Sequence, residues 1–399
     1  MKNKYYNKTF NPLLYFFKNE SASGLILLIC AITAMIIANS NFAATYEHIL
    51  HTYITIGYKE FSISMSILHW INDGLMAIFF FVVGMEIKRE LVIGELKSIK
   101  KTILPISAAI GGMIVPAIIY SIFNYNYQTI GGWGIPMATD IAFALGILSL
   151  VKDKAPKGIV VFLTALAIVD DLGAIIVIAI FYTNQISWIA LAAGLIIFIT
   201  LILANKFNIK SPFVFISLGI ILWICLLKSG IHATVAGVLL GMTLPLGKNV
   251  HESKKSMLYR FEHALTPWSS FVIMPIFALA NSGITIDINS LSANLLTPVS
   301  LGIIFGLFAG KQVGVFGASY ILVKLKIAKL PSQVTKRHLY GASVLSGVGF
   351  TMSLFVSSLS FADETVLSTA KISIMIASVL AAILGIVIFK LIKPKNKSS

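Results

Sequence analysis

The sequence predicts an all-α polytopic membrane protein with twelve transmembrane helices, two inverted three-helix repeats and two interrupted helices. Three observations predict it. Of 399 residues, 57% are hydrophobic and 12% charged, about half the charge of an ordinary soluble surface. Twelve windows are long and apolar enough to cross a hydrocarbon core. Two of them are broken by glycine, one also by proline, at related places in the chain.

The windows lie near 23–39, 69–87, 103–123, 132–150, 158–182, 187–204, 212–227, 230–246, 264–283, 298–322, 339–360 and 367–391. The first follows Lys2, Lys4, Lys8 and Lys18. That start resembles a signal peptide, but no clean cleavage site follows, so it reads as an uncleaved first helix. Between the first two windows, HTYITIGYKEFSIS alternates apolar and polar residues around Gly57-Tyr58-Lys59, a β-hairpin pattern near 52–64. Such a hairpin either lies on its own chain or offers its open edge to a second copy in a homodimer. Cys30 and Cys225 sit inside apolar windows with no CxxC or zinc spacing and read as small core residues.

The formal net charge is +15, and its placement decides its meaning. With loops assigned alternately to two sides, 27 of the 31 Lys and Arg residues fall on one side. Only Lys59 and Lys228 fall on the other, while Lys311 and Lys371 lie within windows. This split predicts both termini in the cytoplasm, with the basic loops facing anionic lipid. Nucleic acid is unnecessary as a partner.

Ionisable groups in mid-membrane are costly and mark functional sites. The candidates are Asp73, Glu86, Asp140, Asp170, Asp171, His232, Lys311 and Lys371. Lys371, near the start of the last window, can snorkel to water. Asp170 and Asp171 stand midway along 158–182, about 100° apart around a helix. Lys311 lies deep in FGLFAGKQVGVFG, and its natural partner is one of the two aspartates. The other is left for a cation or a proton. Sodium prefers hard oxygen donors, which Thr139, Asp170 and Asp171 supply.

Asp140 follows the Gly- and Pro-broken GGWGIPMAT, and GASVLSGVGFTMS carries the matching weakness. Gly131 and Gly341 stand 210 positions apart. The third to fifth windows therefore pair with the tenth to twelfth. Seven windows separate the two starts, which forces one unit to be inverted. Paired interrupted helices in inverted repeats point to a binding site at the bilayer midplane. The expected division is an ion-binding core of 103–182 and 298–391, beside panel helices of 23–87 and 187–283.

Along nearly the whole chain the sequence resembles the NhaA-type sodium/proton antiporters. The resemblance rests on NDGLMAIFFFVVGMEIKREL, MATDIAFALGIL, ALAIVDDLGAI, IHATVAGVLLGMTLP, Lys311-Gln312 and SGVGFTMSLF. It implies the NhaA fold, no enzymatic activity and no cofactor, with Na⁺ (and Li⁺) and H⁺ as the transported ions. By the same resemblance Asp171 is the main ion ligand and Asp170 pairs with Lys311 when no cation is bound. Asp140 and Lys311 balance the helix ends at the two interruptions, with Thr139 close to the ion. Glu86, Arg89, Glu90, Glu262 and His263 line a pH-sensing cytoplasmic entrance. His232 matches a histidine that tunes the pH profile, although its place near a helix start also suits a cap. Thr266 stands where the family often has a second histidine, so the pH set-point does not transfer. Electrogenic, pH-regulated exchange of Na⁺ for more than one H⁺ by alternating access is the expected function. A sodium-coupled symporter of an organic anion is the alternative, and would need a roomier polar site. An aspartyl protease would show YD and GxGD motifs, which are absent. A channel would line an open pore with its carboxylates rather than bind an ion with them.

Overall fold

The structure is a computed structural model that describes residues 20–58, 62–183, 186–247, 249–285 and 293–392. Hairpin-tip residues Lys59 and Phe61, Lys248, the four N-terminal lysines and Lys393, Lys395 and Lys397 lie outside the described residues.

The helices are α1 (Glu20–Ala38), α2 (Ala43–His51), α3 (Ile67–Val92), α4 (Ile99–Asn124) and α5 (Ile141–Ser149). Next come α6 (Lys157–Phe181), α7 (Trp188–Lys206), α8 (Pro212–Ser229), α9 (Thr234–Thr243) and α10 (Met257–Asn281). The chain ends with α11 (Pro298–Lys324), α12 (Lys336–Leu345), α13 (Phe350–Ser360) and α14 (Glu364–Leu391). Among the described residues, eight helices cross a bilayer by length and composition, and three bent pairs bring the count to at most 11. The eighth expected window, 230–246, holds only the ten residues of α9, because Gly230 leaves the helical region at φ 87° and Pro245 follows its end.

Both broken spans appear where glycine and proline placed them. The 3₁₀ segment Gln128–Met137 meets α5 at 43°, and α12 meets α13 at 43°. The third bend was not expected. The chain turns 112° between α1 and α2, and Tyr46 of α2 donates its hydroxyl to the Leu279 carbonyl at 2.6 Å. A search for long apolar runs passes over a nine-residue helix of mixed polarity.

The hairpin forms as β1 (Tyr53–Ile56) and β2 (Ile63–Ser66), antiparallel with Ile54 opposite Met65 and Ile56 opposite Ile63. All four residues of β1 are exposed.

Apolar packing divides into two clusters. The larger joins α1, α3, α4, α6, α10, α11, α13 and α14 around Phe80, Phe162, Phe277 and Phe355. The smaller joins α7, α8 and α9 to one side of α3 and the start of α10, around Phe215, Leu222 and Met85. Lipid-facing residues such as Ile189, Ile196 and Ile220 stay exposed.

One seam depends on glycine. α3 and α9 run parallel, and a side chain on Gly237 would meet the Ala77 carbonyl oxygen at 2.1 Å, while one on Gly241 would meet the Met85 nitrogen at 2.7 Å. This is the small-xxx-small device by which membrane helices approach closely. The seam is tied at each end. Lys88 Nζ donates to the Leu244 carbonyl at 2.6 Å, and His232 Nδ1 lies 4.0 Å from Asp73 Oδ1.

Candidate ion-binding site

The two broken spans cross, and the crossing is held by a carboxylate. Asp140 caps α5 by accepting from Phe143 N at 2.9 Å through Oδ1. Its other oxygen accepts from Thr351 N at 3.1 Å and from the Thr351 hydroxyl, at the first turn of α13. Both helix starts thus point their free N–H groups at one anion, the favourable sense of the helix dipole. Backbone joins the halves directly, with Asp140 N donating to Val348 O at 2.7 Å. Ser353 Oγ donates to Ile135 O at 2.8 Å, so a serine of the second broken span satisfies a carbonyl freed in the first.

Asp170 and Asp171 occupy the middle of α6 beside this crossing, both buried. Lys311, fully buried, places Nζ 2.6 Å from Asp170 Oδ2. Thr139 Oγ1 sits 2.7 Å from the same oxygen and 2.9 Å from the Ser346 carbonyl, so its single proton serves one acceptor at a time. Asp170 Oδ1 is buried with no hydrogen-bond partner. Among the described residues no ion pair or hydrogen bond reaches Asp171. It lies within electrostatic reach of Asp170, Glu86, Asp140 and Lys311. The site thus holds one carboxylate balanced by an ammonium and a second without a partner.

Lys311 reaches this position because α11 is irregular around it. Two π-turns, Gly306–Gly310 and Gln312–Phe316, flank the lysine, and such bulges often mark functional positions in helices. α11 also crosses α4 at near backbone contact, since a side chain on Gly314 would meet the Gly111 carbonyl oxygen at 2.1 Å.

At the end of the bundle that carries the basic loops, Arg89 gathers three carboxylates. Its Nε lies 2.8 Å from Glu262 Oε1, Nη1 lies 2.8 Å from Glu90 Oε1 and Nη2 lies 3.9 Å from Glu86 Oε1. Glu262 Oε2 is buried without a hydrogen-bond partner. His263 is exposed and stacks on Tyr259 with centroids 5.9 Å apart. Thr266 donates to the Glu262 carbonyl at 2.6 Å, one turn on. His232 is not part of this group. It stands at the opposite end of α9 against Asp73, and its carbonyl accepts from Val235 N at 3.1 Å.

Of the sequence candidates, the structure brings Thr139, Asp170 and Lys311 into direct contact, with Asp171 adjacent and Asp140 in the crossing. Lys311 meets Asp170 directly. Residues the sequence reading did not single out are Thr351, whose hydroxyl serves Asp140, Ser346, whose carbonyl faces Thr139, and Lys88. Thr351 and Ser346 lie inside the SGVGFTMSLF match, so the broken span was the signal that could have found them.

The chain matches the protein family described as Na⁺/H⁺ antiporter 1 over residues 15–389. It is 76% identical over 397 residues to the Na⁺/H⁺ antiporter NhaA 1 of Clostridium beijerinckii, covering 100% of this chain and 99% of that protein. It is 50% identical over 376 residues to the Na⁺/H⁺ antiporter NhaA of Pelagibacter ubique, covering 94% and 96%. Among solved structures, the sodium proton antiporter MjNhaP1 from Methanocaldococcus jannaschii superposes with a TM-score of 0.56 at 13% identity, over 93% of this chain and 92% of that one. At that identity the superposition speaks to the fold alone. With one family spanning nearly the whole sequence and relatives this similar, the chain belongs to the Na⁺/H⁺ antiporter 1 family.

Proposed function

We propose that the chain is an electrogenic, pH-regulated sodium/proton antiporter of the bacterial inner membrane, with both termini cytoplasmic, which expels Na⁺, and Li⁺ as well, in exchange for more than one H⁺. The observation that carries this reading is the buried pair of neighbouring acids, one held by Lys311 and one without a partner among the described residues. The names of the relatives and the family description support sodium/proton exchange.

The mechanism follows from the charges. A sodium ion entering between Asp170 and Asp171 finds carboxylate oxygens, the Thr139 hydroxyl and the Ser346 carbonyl, all hard donors. It displaces the proton of Asp171 and competes with Lys311 for Asp170. An ammonium stripped of its counter-ion in low dielectric gives up its proton. One positive charge enters and two leave, so a complete cycle carries net charge and responds to membrane voltage. Protonation from the far side restores the Lys311–Asp170 pair. The unit of 103–182 and 298–391 carries the site past the panel of 23–87 and 187–283. The separate packing cluster of α7–α9 supports that division for those three helices, while α1, α3 and α10 of the panel pack against the unit in the larger cluster. Glu86, Arg89, Glu90, Glu262 and His263 form the cytoplasmic entrance, and His232 tunes the response from the other face. Two copies pair through the exposed hairpin.

The test is sodium-driven collapse of a pH gradient in everted membrane vesicles, followed across a pH series. The expected result is Na⁺-dependent collapse that Asp171→Asn abolishes while the protein still accumulates in the membrane. Collapse without sodium, or normal exchange by Asp171→Asn, overturns the reading.

A further inference from the structure

We propose that the groove between the starts of α4 and α6 and the 329–332 loop is a binding site for an anionic phospholipid. The groove has a volume of about 490 Å³ and lies at the basic-loop end of the bundle, apart from the ion site. Two lysines, Lys157 and Lys329, and Ser332 stand at its rim, all exposed. Among the described residues no carboxylate lines it. Neither ammonium has an ion-pair partner among those residues.

Below the rim the wall turns apolar. Lys157, Val161 and Ala165 follow one another at helical spacing down one face of α6, with Leu104 of α4 opposite. From Lys157 to Ala165 the helix rises about 12 Å, a path from the interface into the hydrocarbon. Val161 is 47% exposed, so the wall is open from the side. Free phosphate would use the lysines and leave this wall bare. A phospholipid uses both, its phosphodiester between two ammonium groups and the Ser332 hydroxyl, its acyl chain against the exposed Val161, with the buried Leu104 and Ala165 forming the floor behind it. Paired basic residues at this depth recognise anionic headgroups. The lysine at the rim begins the helix that carries Asp170 and Asp171, so an occupied groove bears on the element that holds the ion pair.

The test uses the full chain purified in detergent and incubated with phosphatidylglycerol or phosphatidylcholine, with retained lipid read by native mass spectrometry and stabilisation by thermal melting. The wild-type chain should retain phosphatidylglycerol about fivefold over phosphatidylcholine and melt at a higher temperature with it. Lys157→Gln with Lys329→Gln should bring the two lipids to parity. Lys206→Gln with Lys210→Gln, the same charge change at the α7–α8 loop, should behave as wild type. Val161→Trp fills the apolar wall, keeps both lysines and should also lose the preference. That variant decides the matter if the lysine pair fails to fold. Unchanged preference in either groove variant overturns the proposal. So does displacement of the lipid by glycerol phosphate at equal concentration, which would make this a free-anion site.

Discussion

Lys311 and Asp170 face each other at 2.6 Å where neither side chain reaches solvent. Each is the other's main compensation for leaving water, so loss of one strands the other. Breaking a buried pair from one side costs about 3–5 kcal/mol, whereas replacing both members can be nearly neutral. Lys311→Met should therefore lower the melting temperature of the purified chain sharply. Adding Asp170→Asn to the same chain should restore much of the loss, and additive losses in the double variant would remove the coupling argued here. These residues were legible in the sequence because a charge in mid-bilayer is expensive enough to need a reason. The charges alone did not choose the lysine's partner, since Asp170 and Asp171 are neighbours; the resemblance named Asp170, and the structure places Lys311 Nζ against that residue. Thr351 was less visible still. A threonine in a membrane helix is ordinary, and it gains meaning only when the crossing delivers the Asp140 carboxylate to its hydroxyl.

Helices were legible wherever length and apolarity sufficed, and the breaks wherever Gly and Pro cluster. What escaped was irregularity with no compositional mark. The π-turns Trp70–Leu75 and Ser269–Ile273 sit inside spans that read as continuous, and α2 lacks the length the search demanded. The contact of α11 with α4 allows a sharp comparison between two glycines of one helix. A methyl group on Gly314 would run into the Gly111 carbonyl oxygen at 2.1 Å, while one on Gly317 meets nothing within 4 Å. Gly314→Ala should push the helices apart, draw Lys311 from Asp170 and remove Na⁺-dependent exchange along with stability. Gly317→Ala should leave both near wild type, as measured by vesicle exchange and thermal melting. Equal tolerance at the two positions would show that the close crossing does not position the lysine.

At the scale of the molecule, exchange requires that the site never hold Na⁺ and its protons together. If one proton competes with the ion, the apparent KM for Na⁺ rises about tenfold for each pH unit of acidification, and more steeply if two compete. Titrating sodium-driven exchange between mildly acidic and alkaline pH measures that slope. A KM indifferent to pH would remove competition from the mechanism. Removing residues 53–66 should reduce the particle to one chain by mass in detergent while leaving exchange at saturating Na⁺, if the hairpin serves pairing alone. A particle of unchanged mass would place the contact elsewhere. The uneven spread of lysine and arginine predicts an orientation, with both termini cytoplasmic. The side-by-side run of α3 and α9 was not legible in the sequence, because their register is set by backbone meeting backbone at Gly237 and Gly241. That join leaves no room for one helix to slide on the other, and it is pinned at one rim by the Lys88 hydrogen bond to Leu244, while at the other His232 faces Asp73 at 4.0 Å. The two helices therefore behave as a single stiff beam running from one water phase to the other, and a change of protonation at either tip is felt at the opposite tip as displacement.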